Sequence, residues 1–195
     1  DKLTTDSKAT QKMYKEKLEL GFEYLPSPID VTKFTDLPHV EKVPKQVAYL
    51  GRESFEKGID VLKKAESQIK GKVVYCYDRP WKEAMTIMKS SCVVVVPSRM
   101  ESLPTTIKEA FFLKVPVVAT NVGGIPELMK NNETGFLIKK GDHNELFEKL
   151  EILINNKKMA EKMGSAGREF ISNNFSWEII SKNFKERIEK HLDLS

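Results

Sequence analysis

The sequence predicts an α/β fold built on a mostly parallel, doubly wound sheet of about five strands. Val93-Val94-Val95-Val96 is an unbroken β-branched run, the pattern of a central parallel strand buried on both faces. Pro116-Val117-Val118-Ala119-Thr120 is a second such run. Strand-like segments of this kind alternate with stretches whose apolar residues recur at helical spacing, which is the signature of βαβ units.

A chain of 195 residues can bury one good core. Its 40% hydrophobic and 31% charged residues are those of a globular protein. The net charge of +4, from 32 Lys and Arg against 28 Asp and Glu, suits an anionic small molecule or an anionic membrane face. It is too diffuse to argue for nucleic acid. No apolar stretch approaches the ~18 residues of a membrane span, and no signal-peptide pattern opens the chain. Cys76 and Cys92 sit in apolar surroundings and read as small buried hydrophobes in a reducing compartment. A cytoplasmic location is expected, with peripheral membrane association as the variant. His39, His143 and His191 are scattered, so no metal site can be composed from them. The first residue is Asp1 rather than Met, as in a fragment.

Taken in order, residues 1–40 are expected to form an N-terminal segment and linker rather than a compact unit. Leu3-Thr4-Thr5 reads as a short strand. Asp6-Ser7 can cap a helix from Lys8 to about Leu18, with Gly21 as its end. Phe22-Glu23-Tyr24-Leu25 alternates like a strand until Pro26-Ser27-Pro28 stops it. Residues 41–170 are expected to hold the main domain. Gln46-Val47-Ala48-Tyr49-Leu50 is its first strand. The exit Gly51 to Gly58 leads to a helix with Ile59, Val61, Leu62, Ala65 and Ile69 on one face. Lys72 to Tyr77 is the second strand, followed by a helix over Lys82–Lys89 with Ala84, Ile87 and Met88 inside. After the Val93–Val96 strand comes a helix carrying Ile107, Ala110, Phe111 and Leu113. Gly123-Gly124 makes a tight turn into a short helix at Pro126–Met129. Phe136-Leu137-Ile138 is the last strand. Gly141-Asp142 begins a helix with Leu146, Leu150, Leu153 and Ile154 inside, and further helices cover Met159–Phe170 and Trp177 to about His191. The C-terminal helix, 171–195, is set apart as a third region.

Chemistry concentrates at Glu101-Ser102-Leu103-Pro104-Thr105-Thr106-Ile107-Lys108-Glu109, where a strand exit meets a helix start. Ser102 is a candidate cap, and Pro104 suits the first turn, where no N–H is needed. Free amides and the helix dipole make such a place a seat for phosphate. Glu101 sits at the mouth. Glu109 lies about five residues into the helix, so roughly 8 Å further along, near the span from a diphosphate to the ribose of a nucleotide. The alternative is an ordinary amphipathic βα unit with solvated glutamates.

The text around this stretch resembles the donor-binding half of the GT-B glycosyltransferases, and most closely the retaining family 4 group. Pro97-Ser98-Arg99-Met100-Glu101-Ser102, Glu109-Ala110 and Val122-Gly123-Gly124-Ile125-Pro126-Glu127 carry the likeness, with Glu101 and Glu109 separated by seven residues. It extends over about Lys45 to Phe184. The resemblance implies a Rossmann-like sheet that has lost one βα unit between Tyr77 and Cys92. It implies a nucleoside-diphosphate sugar donor, transfer to an acceptor hydroxyl with retention, and no cofactor or metal. It further implies that Gly51, Arg52 and Lys57 clamp the diphosphate, a guanidinium offering a fork and Lys a movable charge. Glu101 then faces the sugar and, with Arg52 and Lys57, serves catalysis. Ser102, Leu103, Pro104, Thr105 and Thr106 line the phosphate seat, and Glu109 takes the ribose. Tyr77 and Arg79 are placed for the nucleobase, the alternative being that Tyr77 is core and Arg79 surface. An N-terminal domain outside these residues is expected to bind the acceptor glycan or lipid, with the last helix packing toward it. The competing readings are a non-catalytic nucleotide-sugar-binding module or subunit, and a GT-B epimerase or phosphorylase.

Overall fold

The computed structural model describes residues 3–191. It opens with a small βαβ unit: strand β1 (Leu3–Thr5), helix α1 (Lys8–Leu18) and strand β2 (Phe22–Tyr24). The strand, helix and strand fall where the sequence suggests, and the two strands pair in parallel. Ser7 caps α1, its side chain accepting from Thr10 N. The helix ends at Glu19, which adopts the left-handed conformation at φ 55° and returns its N–H to Tyr14 O. Gly21, the expected terminator, follows the cap and leaves the task to Glu19. A short 3₁₀ turn, Val31–Phe34, lies in the linker. Ile29 is buried in the main core, with Phe34 and Leu37 packed against it.

The main sheet has five strands: β3 (Gln46–Leu50), β4 (Lys72–Cys76), β5 (Val93–Val96), β6 (Val117–Thr120) and β7 (Gly135–Ile138). Their spatial order is β4-β3-β5-β6-β7, and every neighbouring pair is parallel. Between the strands run α2 (Ile59–Glu66), α3 (Trp81–Ser90), α4 (Thr105–Phe112) and α5 (Ile125–Leu128). After β7 come α6 (His143–Asn155), α7 (Lys157–Phe175) and α8 (Trp177–His191). Residues 192–195, part of the expected C-terminal helix, lie outside the described residues.

Side chains alternate across a strand with period two, and the core divides accordingly. Val47, Tyr49, Val93, Val95 and Val118 pack with α2, α6 and the start of α7. Ala48, Val94, Val96, Val117 and Ala119 face α3, α4, α5 and the end of α7. Both faces are covered, which is why the valine runs never alternate with polar residues. Asn156 separates α6 from α7, its side chain accepting from Met159 N at 2.9 Å. From there α7 runs on to Phe175, past the expected end at Phe170. Gly164 and Gly167 on α7 face α4 and the turn after it; a Cβ at Gly164 would lie 2.1 Å from Lys114 O, and one at Gly167 2.3 Å from Phe111 Cδ1.

One cysteine departs from expectation. Cys76 is buried, but Cys92 is half-exposed just ahead of β5, its thiol pointing to Val43 O at 3.4 Å. No helix among the described residues is long and apolar enough to cross a membrane.

Candidate functional site

The sheet order reverses between β3 and β5: from β3 the chain steps outward to β4, then returns to the other side of β3 as β5. The two loops leaving β3 and β5 therefore diverge to opposite faces. The crevice between them is where a doubly wound sheet accepts ligands.

The β3 loop holds Gly51, Arg52 and Lys57, and the β5 loop holds Pro97 to Pro104. They are fastened together. Tyr49 Oη donates to Arg52 O at 2.8 Å, fixing the first turn. Gly58 has φ 68°, and a Cβ there would fall 1.9 Å from Pro97 O, so only glycine permits this approach. Arg99 clamps the loops from the other direction. Its backbone N–H donates to Glu56 O at 2.7 Å. Its guanidinium grips Asp60 at 2.6 and 2.8 Å and lies 3.9 Å above the Phe55 ring. That hydrogen-bonded cation holds the Asp60 carboxyl below its ordinary range. On the far side, Gly123 at φ 53° lets the next turn touch the β5 loop; a Cβ would meet Glu101 O at 1.8 Å.

Within this frame, Glu101 is held by two donors. Lys57 Nζ and Ser98 Oγ each lie 2.7 Å from its Oε1. The Glu101 side chain is only 10% exposed and that of Lys57 28%, so the pair is shielded but reachable. Arg52 is exposed on the same loop. The helix start of α4 stands next to them. Its N-cap is Pro104, which supplies no side-chain hydrogen bond. Ser102, expected to cap it, turns away to Asp6, Ser7 and Thr10. Leu103 is buried in the core, whereas Thr105 is exposed and Thr106 half-buried. The first turn of α4 is thus left without a side-chain cap, as a phosphate seat requires.

Glu109 lies further along α4. Its Oε1 accepts from Trp81 Nε1 at 2.9 Å, and burial raises its carboxyl above the usual range, against the Trp81 hydrogen bond. Trp81 is wedged edge-on against Phe34, at 5.0 Å between centroids, and Phe34 packs on Phe112 at 4.4 Å. Tyr77 stacks on Tyr75 at 5.4 Å and meets Tyr49 at 6.0 Å; its hydroxyl is buried without a protein partner. Arg79 pairs with Glu83 one turn along α3.

Three residues escaped the sequence reading. Trp81 carried no sign of which distant carboxylate it would meet. Arg99 looked like part of a loop exit. Lys108 is 1% exposed, and its Nζ donates to both oxygens of Ser27 at 2.8 Å. Burial lowers its pKa to about 8. Its signal was a cation next to Ile107 on the apolar stripe of a core helix. Among the described residues, no group of three or more His, Cys, Asp or Glu is arranged to hold a metal ion.

A model of the family described as glycosyl transferases group 1 matches residues 66–170. The chain belongs to this family. Over 88 residues it is 42% identical to the capsular polysaccharide biosynthesis glycosyltransferase CapM of Staphylococcus aureus, covering 45% of this chain and 23% of CapM. Over 148 residues it is 28% identical to the sulfoquinovosyl transferase SQD2 of Arabidopsis thaliana, covering 63% of this chain and 29% of SQD2. The match thus spans under a third of either relative. Among solved structures, a glycosyltransferase from Rickettsia africae superposes with TM-score 0.83 at 20% identity, over 100% of this chain and 64% of that one. Anabaena HepE, solved in complex with UDP, gives 0.81 at 18% identity, over 97% of this chain and 64% of its own. At those identities the likeness concerns the fold, which is that of the GT-B glycosyltransferases.

Proposed function

We propose that this chain is the donor-binding half of a retaining glycosyltransferase of the family 4 type. It would act in transfer of a hexose from a nucleoside-diphosphate sugar to an acceptor hydroxyl. The observation that carries the reading is the Glu101 carboxylate, fixed by Lys57 and Ser98 at the switch point of the sheet, one loop away from an uncapped helix start. A carboxylate held beside a cation can accept from sugar hydroxyls without repelling a neighbouring diphosphate. When the sugar leaves, the departing diphosphate takes the bonding pair and gains charge. Arg52, Lys57 and the amides of Thr105 and Thr106 are the groups to stabilise it, and fixed dipoles of this kind are often the largest catalytic contribution. Gly51 gives the diphosphate room to approach the backbone, and Ser102, Leu103 and Pro104 shape the turn that presents the amides. Glu109, oriented by Trp81 through one oxygen, has the other for the ribose. Tyr77 and Arg79 stand at the end of β4 on the nucleobase side. The scheme assigns no step to a metal or cofactor, and the acceptor is left to a further domain.

The HepE complexes with UDP and UDP-glucose make uridine donors the first to try. A thermal-shift screen of UDP-, GDP- and ADP-sugars tests the reading directly, since a ligand at 100 times its Kd adds about 2.7 kcal/mol of stability. One nucleotide series should raise Tm, and Glu109→Ala should abolish the rise. No shift with any of them at millimolar concentration would refute donor binding.

A further inference from the structure

Glu127 had no task in the sequence reading beyond its place in a short helix. Its two carboxylate oxygens accept from the first two amides of α1, Lys8 N and Ala9 N, each at 3.0 Å. Ser7 supplies the rest of the cap: its Oγ accepts from Thr10 N and its carbonyl from Gln11 N. Of the four amides that a helix start leaves open, those of Lys8, Ala9 and Thr10 are therefore satisfied by side chains, two of them from more than a hundred residues away, and the Gln11 amide begins the ordinary helical ladder. The partial positive charge of the helix end favours a carboxylate there.

The same face carries a second set of bonds. Ser102 Oγ donates to Asp6 and lies 3.2 Å from Ser7 Oγ and 3.0 Å from Thr10 Oγ1. Gly124 fits between the two parts, since a Cβ would lie 2.0 Å from Ser102 O and 2.8 Å from Ser7 Cβ. One short stretch, Gly123 to Glu127, thus touches Glu101, Ser102 and the start of α1. This seam is polar. No residue of α1 itself is buried, and the buried residues at the join are Thr5 and Ser7. Bonds of this kind exchange readily for water, so the seam can open without exposing an apolar core. With it closed, Thr5, Asp6 and Thr10 stand with Met100, Glu101 and Gly123 around a cavity of about 680 Å³.

We propose that Glu127 and Ser102 form a polar latch that seats residues 3–24 on the Glu101 loop. Glu127 is thereby a positioning residue for the cleft. The link to catalysis rests on the reading of the Glu101 loop as the donor site; the latch itself does not. Closing it completes the wall of a cavity that shares Glu101 with the donor cleft, where a second substrate would meet the sugar.

Residue-resolved amide exchange on the 195-residue chain tests this, first without ligand. In Glu127→Ala the amides of Lys8 and Ala9 should exchange ~10-fold faster or more, and those of Arg99 to Leu103 should quicken with them. Amides of β5 and β6 should stay as in wild type, which excludes general unfolding. Glu127→Gln keeps one carbonyl oxygen and should restore part of the protection. Ser102→Ala, which removes a single hydroxyl, should loosen the same two regions and gives a second route should Glu127→Ala fold poorly. Loosening confined to α1, with residues 99–103 unchanged, would overturn the latch. In a second arm, UDP-glucose should slow the α1 amides in wild type and not in Glu127→Ala; equal slowing in both would also overturn it. Failure of UDP-glucose to bind wild type would count against a uridine donor, while the ligand-free comparison would still decide the latch.

Discussion

Lys57 and Glu101 each limit what the other can do. On the proposed reading, the lysine would give a diphosphate only the charge that it does not already share with the carboxylate 2.7 Å away. Removing Lys57 does more than lose a cation, because it leaves Glu101 as a less compensated negative charge beside the proposed phosphate seat. Lys57→Ala should therefore weaken UDP binding more than Arg52→Ala, which should cost ~10-fold, the loss of one charge-assisted hydrogen bond. In a Glu101→Gln background the penalty for Lys57→Ala should shrink, a non-additivity that isothermal titration of the double-mutant cycle would reveal. Equal penalties in both backgrounds would mean that the pair is not coupled to the ligand. Glu109 gives a second prediction. Burial raises its carboxyl from the ordinary 4.5, and only the ionised form accepts two hydroxyl hydrogen bonds. Affinity for UDP-glucose should thus climb as pH rises above 4.5 through that raised value, and Glu109→Gln should flatten the climb. The acidic pair was legible in the sequence because its spacing, from the β5 loop into α4, is local. Trp81, which holds Glu109, was not, because it arrives from a part of the chain whose approach is set by the fold.

At the scale of elements, the site depends on loops being close, and closeness here is enforced by glycine. Gly58→Ala would place a methyl into the Pro97 carbonyl at a left-handed φ. It should cost about 2 kcal/mol or more in urea unfolding, with a larger proportional loss of UDP binding as the two loops separate. Gly21→Ala, where nothing lies within 4 Å, should be nearly neutral, and a large effect there would show that space and conformation are not what decides. The strands and helices of residues 41–191 were readable because apolar spacing fixes them locally. The helix ends were less so. Ser102 sat where a cap belongs, yet a cluster of hydroxyls from α1 drew it away, and Glu19 displaced Gly21 because a left-handed residue was needed two positions earlier. The parallel pairing of β1 with β2 depends on a return of the chain that three-residue strands hardly signal.

Over the whole molecule, Lys108 fastens the linker to α4 from inside. Its pKa falls to about 8, chiefly through burial, with Asp6 and Glu109 pulling the other way. In the unfolded chain it keeps the ordinary 10.5. Between these values the unfolded state binds more protons, so stability should rise with pH from about 8 to about 10.5. The rise should be missing from Lys108→Met when both proteins are followed by thermal melting, and identical slopes would remove Lys108 as its source. The Trp81 hydrogen bond to Glu109 also has an optical consequence. The chain has two tryptophans; Trp177 is 64% exposed, whereas the Trp81 indole is bound to a carboxylate among aromatic rings. Its emission should be blue relative to that of Trp177 and sensitive to the charge on its partner. A nucleotide whose ribose engages Glu109 should therefore change the Trp81 component, and Trp81→Phe should abolish the signal while Trp177→Phe sharpens it. If Glu109 takes the ribose as proposed, the protein reports its own occupancy by fluorescence, with no label, through the indole hydrogen-bonded to that carboxylate.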